Sequence, residues 1–335
     1  MPNSSNRWSV LKAVLGLTLV AAQGSLCSPA GAVATAAKPR AASIDIGHGI
    51  TLHYLEAGGG TPVVFVHGSI GDDTYWTDQV TAFAKRYRAI AYSRRYNFPN
   101  TNPATRGYSA VVDAQDLAAF IKKMHLGKVY LIGHSYGALT ALFLATEHPE
   151  LIRGVVLAEP PAVSLLQHLP PEQASKGEAL FADIQARMVE PMQKAFAAGK
   201  RDEGVGIFID YVLDDPRAWK KMRPADRADT MRDAHEWDVM MTSGTLFPEI
   251  DPAAIRKIRV PVLVMSGGVS YEFLGYRPGD RPPHSQQPKH RLSRCGPPDV
   301  VQVPGALQGR RGGIFQCGCS SGPLSATPAR LRTSN

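Results

Sequence analysis

Hydrophobic positions recur along this chain with two different periods, and each change of period marks an element. Ile50, Leu52 and Tyr54 alternate with polar neighbours, and with Ile44 to Ile46 across Gly47-His48-Gly49 they predict a β-hairpin. Pro62-Val63-Val64-Phe65-Val66 is instead an unbroken apolar run, the pattern of a strand buried on both faces of a parallel sheet. Tyr87 to Tyr92, Val129 to Ile132, Val155 to Ala158 and Val260 to Met265 read as further strands. Helical segments lie between them, at Trp76 to Lys85, at Ser109 to His125 and from Ser135 on through Ala145. The second of these turns Val112, Leu117, Ala118, Phe120, Ile121 and Met124 inward. Strands alternating with helices specify an α/β fold with a mostly parallel sheet covered by helices. Between Pro161 and Ile250 the strands stop, and Ser175 to Ala198, Asp202 to Leu213, the surroundings of Trp219 and Ala225 to Met241 predict three or four helical segments.

The stretch with the most chemistry is Val129-Tyr130-Leu131-Ile132-Gly133-His134-Ser135-Tyr136-Gly137, a buried strand followed by a G-x-S-x-G turn and a helix. A tight turn of this kind leaves no room for a side chain at either glycine and throws the serine into strained, exposed geometry. Ser135 is therefore the candidate nucleophile, and the Tyr136 N–H at the helix start is a candidate oxyanion donor. His67-Gly68-Ser69 follows a central strand, where the same chemistry needs a second main-chain donor; Ser69 supplies it unless the segment is an ordinary strand-to-helix turn. His67 reads as a structural anchor of that loop. Arg94 and Arg95, in a polar loop, read as solvated or salt-bridged surface residues. His235 reads as a surface or core residue, and Phe196, Phe208, Tyr211, Trp237, Met240 and Met241 as helix-core residues that also suit a pocket wall.

These motifs in this order resemble the α/β-hydrolase superfamily. Ser93-Arg94-Arg95-Tyr96 and Leu157-Ala158-Glu159-Pro160-Pro161 are similar to a branch described as haloperoxidase-like or esterase-like. The resemblance runs over residues 43–270 and implies an α/β-hydrolase fold in which the helical stretch 162–250 is a cap over the active site, between core segments 43–161 and 251–276. It also implies a triad acid, either after the strand ending at Met265, where Glu272 and Asp280 stand, or at the end of the preceding strand, where Glu159 is favoured. The implied chemistry is hydrolysis of a small ester or lactone, with no cofactor and no metal.

Charge and cysteines change the picture only at the two ends. The net charge is +8, but nine Lys and Arg against two Asp in 277–335 place +7 of it in that stretch, which argues against a basic face for nucleic acid. At the N-terminus Arg7 and Lys12 precede the apolar run Ala13 to Ala22 and small residues through Ala34, the layout of a secretory signal over residues 1–34 cleaved after Ala32 or Ala34, with an uncleaved anchor as the alternative. This predicts a secreted or periplasmic protein with a small-molecule partner and no stable membrane insertion after cleavage. Cys27, Cys295, Cys317 and Cys319 leave the body without a disulfide framework. Residues 277–335 hold nine prolines and eight glycines, a composition of irregular chain that reads as a shifted reading frame or a genuine degenerate tail. In the superfamily a catalytic histidine comes about two residues after a Pro-Gly-Ala such as Pro304-Gly305-Ala306, but Leu307-Gln308 stands here, and an amide is no general base. His284 and His290 are the histidines nearby. Two readings result: an exported serine hydrolase, or a non-catalytic, inactivated hydrolase-like protein.

Overall fold

The computed structural model describes residues 38–266. The signal segment, Glu272, Asp280, His284, His290, Gln308, all four cysteines and the stretch 277–335 lie outside them.

Seven strands form one sheet in the order β1-β2-β4-β3-β5-β6-β7. The hairpin β1 (Arg40–Gly47) and β2 (Ile50–Gly58) is antiparallel, with Ile44 opposite Leu52, and β2 pairs antiparallel with β4 (Arg88–Tyr92). From β4 onward every pair is parallel: β3 (Pro62–Val66), β5 (Val129–His134), β6 (Ile152–Ala158) and β7 (Val262–Met265). All five residues of β3 are buried, as its unbroken apolar run requires. Its alternating side chains feed two cores. Val64 and Val66 belong to the larger one, and Val63 and Phe65 pack on the opposite face with Trp76, Val80 and Ile132.

A short 3₁₀ turn, Asp73–Trp76, leads into α1 (Thr77–Phe83), so the helix predicted from Trp76 begins one residue later. The Asp72 carboxylate caps the turn by accepting from Thr74 N–H. Next come α2 (Ala110–Lys123) and α3 (Tyr136–Glu147). In α3 every residue from Tyr136 to Ala145 is buried, which explains why that stretch is apolar all round rather than on one face.

The chain between β6 and β7 is helical, as its pattern predicts: α4 (Pro171–Ile184), α5 (Glu190–Ala197), α6 (Arg201–Val212), α7 (Ala218–Lys221), α8 (Pro224–Arg232), α9 (His235–Ser243) and α10 (Pro252–Arg256). The single helix read over Ser175 to Ala198 is divided by a π-turn, Gln185–Val189. Pro191 lacks the N–H that would bond four residues back, and the looser turn accommodates it. The helix read over Ala225 to Met241 is likewise broken, at Asp233 and Ala234, where the Asp233 carboxylate accepts from Phe98 N–H at 2.8 Å. Among the described residues no helix is long and apolar enough to cross a membrane.

The strand order reverses direction at β3. From there the chain goes to β4 on one side and, after α2, to β5 on the other, so a crevice opens beyond the carboxyl ends of β3 and β5. Ser69 and Ser135 both emerge there.

Candidate active site

Ser135 joins β5 to α3 with φ 51° and ψ −123°, a backbone conformation that side-chain-bearing residues rarely adopt. Strain of this kind costs about 1–3 kcal/mol and persists only where the surroundings impose it. They do so here. A Cβ at Gly133 would collide with the Gly137 backbone, and one at Gly137 with the carbonyls of Val66 and His67. Ser135 N–H donates to Ala158 O at 2.8 Å, while Ser135 O accepts from Ala138 and Leu139 N–H and starts α3. Tyr136 is the first residue of α3, and the leading N–H groups of a helix have no partner within it.

The loop after β3 passes against this turn, where a Cβ on Gly68 would lie 3.1 Å from Ser135 Cβ. His67 holds the loop as the sequence predicts. It is fully buried, its Nδ1 donates to Gly68 O at 2.8 Å, and its Nε2 accepts from Arg94 N–H at 3.0 Å. Those two bonds fix one neutral tautomer, and burial with Arg94 nearby pushes its pKa well below the usual histidine range. Both nitrogens are committed, so His67 is not available as a base.

Arg94 corrects the sequence reading. It is not a surface residue; its side chain is 0% exposed. It donates to Asp113 Oδ2 at 2.8 Å, Tyr108 Oη at 3.2 Å, Gly68 O at 3.2 Å and Glu236 Oε2 at 2.5 Å, with its guanidinium 4.9 Å from the Tyr136 ring centre. Burial opposes its charge, but Glu236, Tyr108 and Asp113 outweigh that and hold its pKa well above the ordinary value. Burial pushes the Glu236 carboxyl up, against the pull of Arg94 and of donors on Ile70 and Asn97. Arg95 is the salt-bridged residue expected, bound through two nitrogens to Asp116 at 2.6 and 2.5 Å.

Ser69, Ser135 and Tyr136 line one small pocket with Pro161, Met188, Phe208, Val212, Trp237, Leu246 and Phe247. Two of the wall residues read from the sequence, Phe208 and Trp237, line it, and their rings lie 4.8 Å apart. Phe196 packs instead on Gly204, and Tyr211 donates to Asp183. Met188, Val212, Leu246 and Phe247 were not legible as lining, because apolar residues of short helices and loops carry no mark of which face they present.

Glu159 also has positive φ, 53°, one residue past the His134–Ala158 pair of the β5–β6 register, and so stands beside Ser135 at the strand ends. Its N–H donates to Met265 O at 2.8 Å. Its carboxylate lies 3.6 Å from His134 Nε2, and the other ring nitrogen of His134 is 3.3 Å from Tyr75 Oη. Tyr75 stacks parallel on that imidazole, and burial beside Glu159 raises its phenol pKa. His235 is half-exposed near Asp238, in keeping with a non-catalytic role. Among the described residues no group of three or more His, Cys, Asp or Glu is placed to hold a metal ion.

A family model described as alpha/beta hydrolase fold matches residues 61–198. The 2-(acetamidomethylene)succinate hydrolase of Mesorhizobium japonicum is 32% identical over 150 residues, 43% of this chain and 51% of that protein. The 2-hydroxy-6-oxo-6-(2'-aminophenyl)hexa-2,4-dienoic acid hydrolase of Metapseudomonas resinovorans is 28% identical over 65% of this chain and 71% of its own. Bifunctional epoxide hydrolase 2 of Sus scrofa is 28% identical over 43% of this chain. The chain spans about half the length of the first of these and about a quarter of the third. Among solved structures, an epoxide hydrolase without ligand superposes with a TM-score of 0.51 at 19% identity, over 69% of this chain and 82% of that one, a likeness of fold.

Proposed function

Because the chain belongs to the α/β-hydrolase superfamily, we propose that it is an exported serine hydrolase of small esters or lactones, with the helices between β6 and β7 as a cap over its site. The observation that carries this reading is the strained Ser135, held at the mouth of an apolar cavity against the loop that bears Ser69. In the proposed reaction Ser135 Oγ attacks the carbonyl carbon and gives up its proton to a histidine base. The N–H groups of Tyr136 and Ser69 bind the oxyanion. The same proton then goes to the departing alcohol oxygen, and water hydrolyses the acyl-enzyme by the reverse sequence. Glu159 is the acid that orients the base. A serine at the turn, where an epoxide hydrolase would need a carboxylate, favours acyl transfer over epoxide opening. The cavity walls suit a compact apolar acyl group.

A second reading, an inactivated hydrolase-like binder, draws on one observation. Among the described residues the histidines nearest the turn, His67 and His134, are engaged elsewhere, and Gln308 occupies the position where the resemblance implies the base. Loss of a triad base lowers kcat by about 10⁴- to 10⁶-fold. Hydrolysis of p-nitrophenyl acetate, butyrate and octanoate by the full chain and by Ser135→Ala separates the two. Turnover that requires Ser135 and prefers the shorter esters supports the hydrolase. Equal background rates in both proteins, with the wild type folded, support the binder.

A further inference from the structure

The cap meets the sheet at one fully buried polar cluster, and that cluster grips the oxyanion loop rather than merely the domain beneath it. Glu236, in the first turn of α9, is 0% exposed. Its carboxylate accepts from Ile70 N–H at 2.7 Å, from Asn97 Nδ2 at 2.8 Å and from Arg94 at 2.5 Å. Arg94 in turn donates to Gly68 O. Both neighbours of Ser69 are therefore held, one by its carbonyl and the other by its N–H.

Two consequences follow from backbone geometry. In a planar trans peptide the Gly68 C=O and the Ser69 N–H point in opposite directions. With Gly68 O fixed inward on His67 and Arg94, the Ser69 N–H faces away from that buried cluster, on the side where Ser69 lines the cavity with Ser135. Ile70, moreover, is β-branched at φ 51°, a conformation that such a residue holds only when its surroundings over-determine it. The bond to Glu236 supplies that constraint from the cap.

We propose that Glu236 is a positioning residue for the oxyanion hole: with Arg94 it locks Gly68 to Ile70 in the conformation that presents the Ser69 N–H, and so makes a competent site conditional on a docked cap. An apolar contact would dock the helix as well, since buried ion pairs are often no more stabilising than well-packed apolar residues of the same volume. What the carboxylate adds is control of two backbone groups. This inference rests on the serine-hydrolase reading for its kinetic consequence, but not for its structural one.

The test uses the full chain as wild type, Glu236→Gln, Glu236→Asp and, as a control on the same helix, Asp238→Asn, whose carboxylate pairs with Arg201 away from the loop. Each is measured for thermal unfolding, for kcat and KM on p-nitrophenyl acetate, and for amide hydrogen exchange over residues 67–72. Glu236→Asp keeps the charge opposite Arg94 but falls one methylene short of Ile70, and serves if the glutamine variant does not fold. The expected result is a fall in kcat of about 10- to 100-fold with KM changed less than about threefold, and faster exchange over 67–72, in variants that remain folded. Asp238→Asn leaves both unchanged. A folded Glu236 variant with wild-type kcat, or one altered only in KM, overturns the proposal. If the wild type has no Ser135-dependent turnover, the hydrolase reading fails by itself, and exchange alone decides: wild-type protection over 67–72 in a folded Glu236 variant refutes the lock, and lost protection upholds it.

Discussion

Ser135 N–H donates to Ala158 O at 2.8 Å, a bond that ties the turn after β5 to the end of β6 and sets Glu159 next to Ser135. Both residues have positive φ, 51° and 53°, so two adjacent strand ends carry strain at the place where the proposed chemistry occurs.

Relief of that strain separates stability from function. Glycine tolerates the Ser135 backbone without penalty, so Ser135→Gly is expected to raise the unfolding free energy by about 1 kcal/mol while it abolishes turnover. Chemical denaturation checks the first and ester hydrolysis the second. A destabilised variant would show that the serine side chain contributes packing that outweighs the strain.

The glycines of the same turn behave oppositely. Gly137→Ala drives a methyl into the carbonyls of Val66 and His67, and Gly133→Ala into Gly137, all of them backbone atoms that cannot move aside cheaply. Each is expected to cost more than about 3 kcal/mol or to prevent folding, read as soluble yield and melting temperature.

Arg94 neutralises two carboxylates in the interior. Arg94→Met leaves Asp113 and Glu236 buried without their cation and is expected to destabilise by about 3–5 kcal/mol. Arg95→Met, on a pair with a single carboxylate whose side chains are still 13% and 8% exposed, is expected to destabilise clearly less than Arg94→Met. Equal effects in denaturant titrations would contradict the assignment of Arg94 to the core.

Asp233 gives the fold a pH dependence. Burial, with Asp72 nearby, raises its pKa to about 7. Between the unfolded value of about 4 and that folded value, the folded chain holds a proton that the unfolded chain has lost. The resulting stabilisation is present at low pH and disappears as pH rises through about 7. Asp233→Asn keeps the acceptor for Phe98 N–H and removes the titration, so its melting temperature should exceed the wild type's at pH 8, with the gap closing as pH falls and gone below about pH 4. Parallel curves would show that Asp233 does not titrate in this range.

Much of the fold was legible because its signals are local. Pro62 to Val66 reads as buried because every residue is apolar, and the turn at Ser135 reads from two glycines whose spacing reflects backbone contact. The Arg94 cluster was not legible. Its partners Asp113 and Glu236 lie 19 and 142 positions away, on helices whose charged residues look like solvent-facing ones in sequence. The contact of Asp233 with Phe98 N–H was hidden for the same reason, since the two lie 135 positions apart. The pocket walls come from short helices and loops whose facing residues depend on how the helices between β6 and β7 pack, which apolar composition alone does not encode.

Labelling of the full chain with a fluorophosphonate at neutral pH, mapped by mass spectrometry with Ser135→Ala as control, tests the central claim most directly. The account predicts a phosphonyl adduct on the Ser135 peptide that the alanine variant lacks, since only an activated serine displaces fluoride at a useful rate. A soluble, folded wild-type protein that remains unlabelled would contradict it, and would leave the strained serine as part of a binding scaffold.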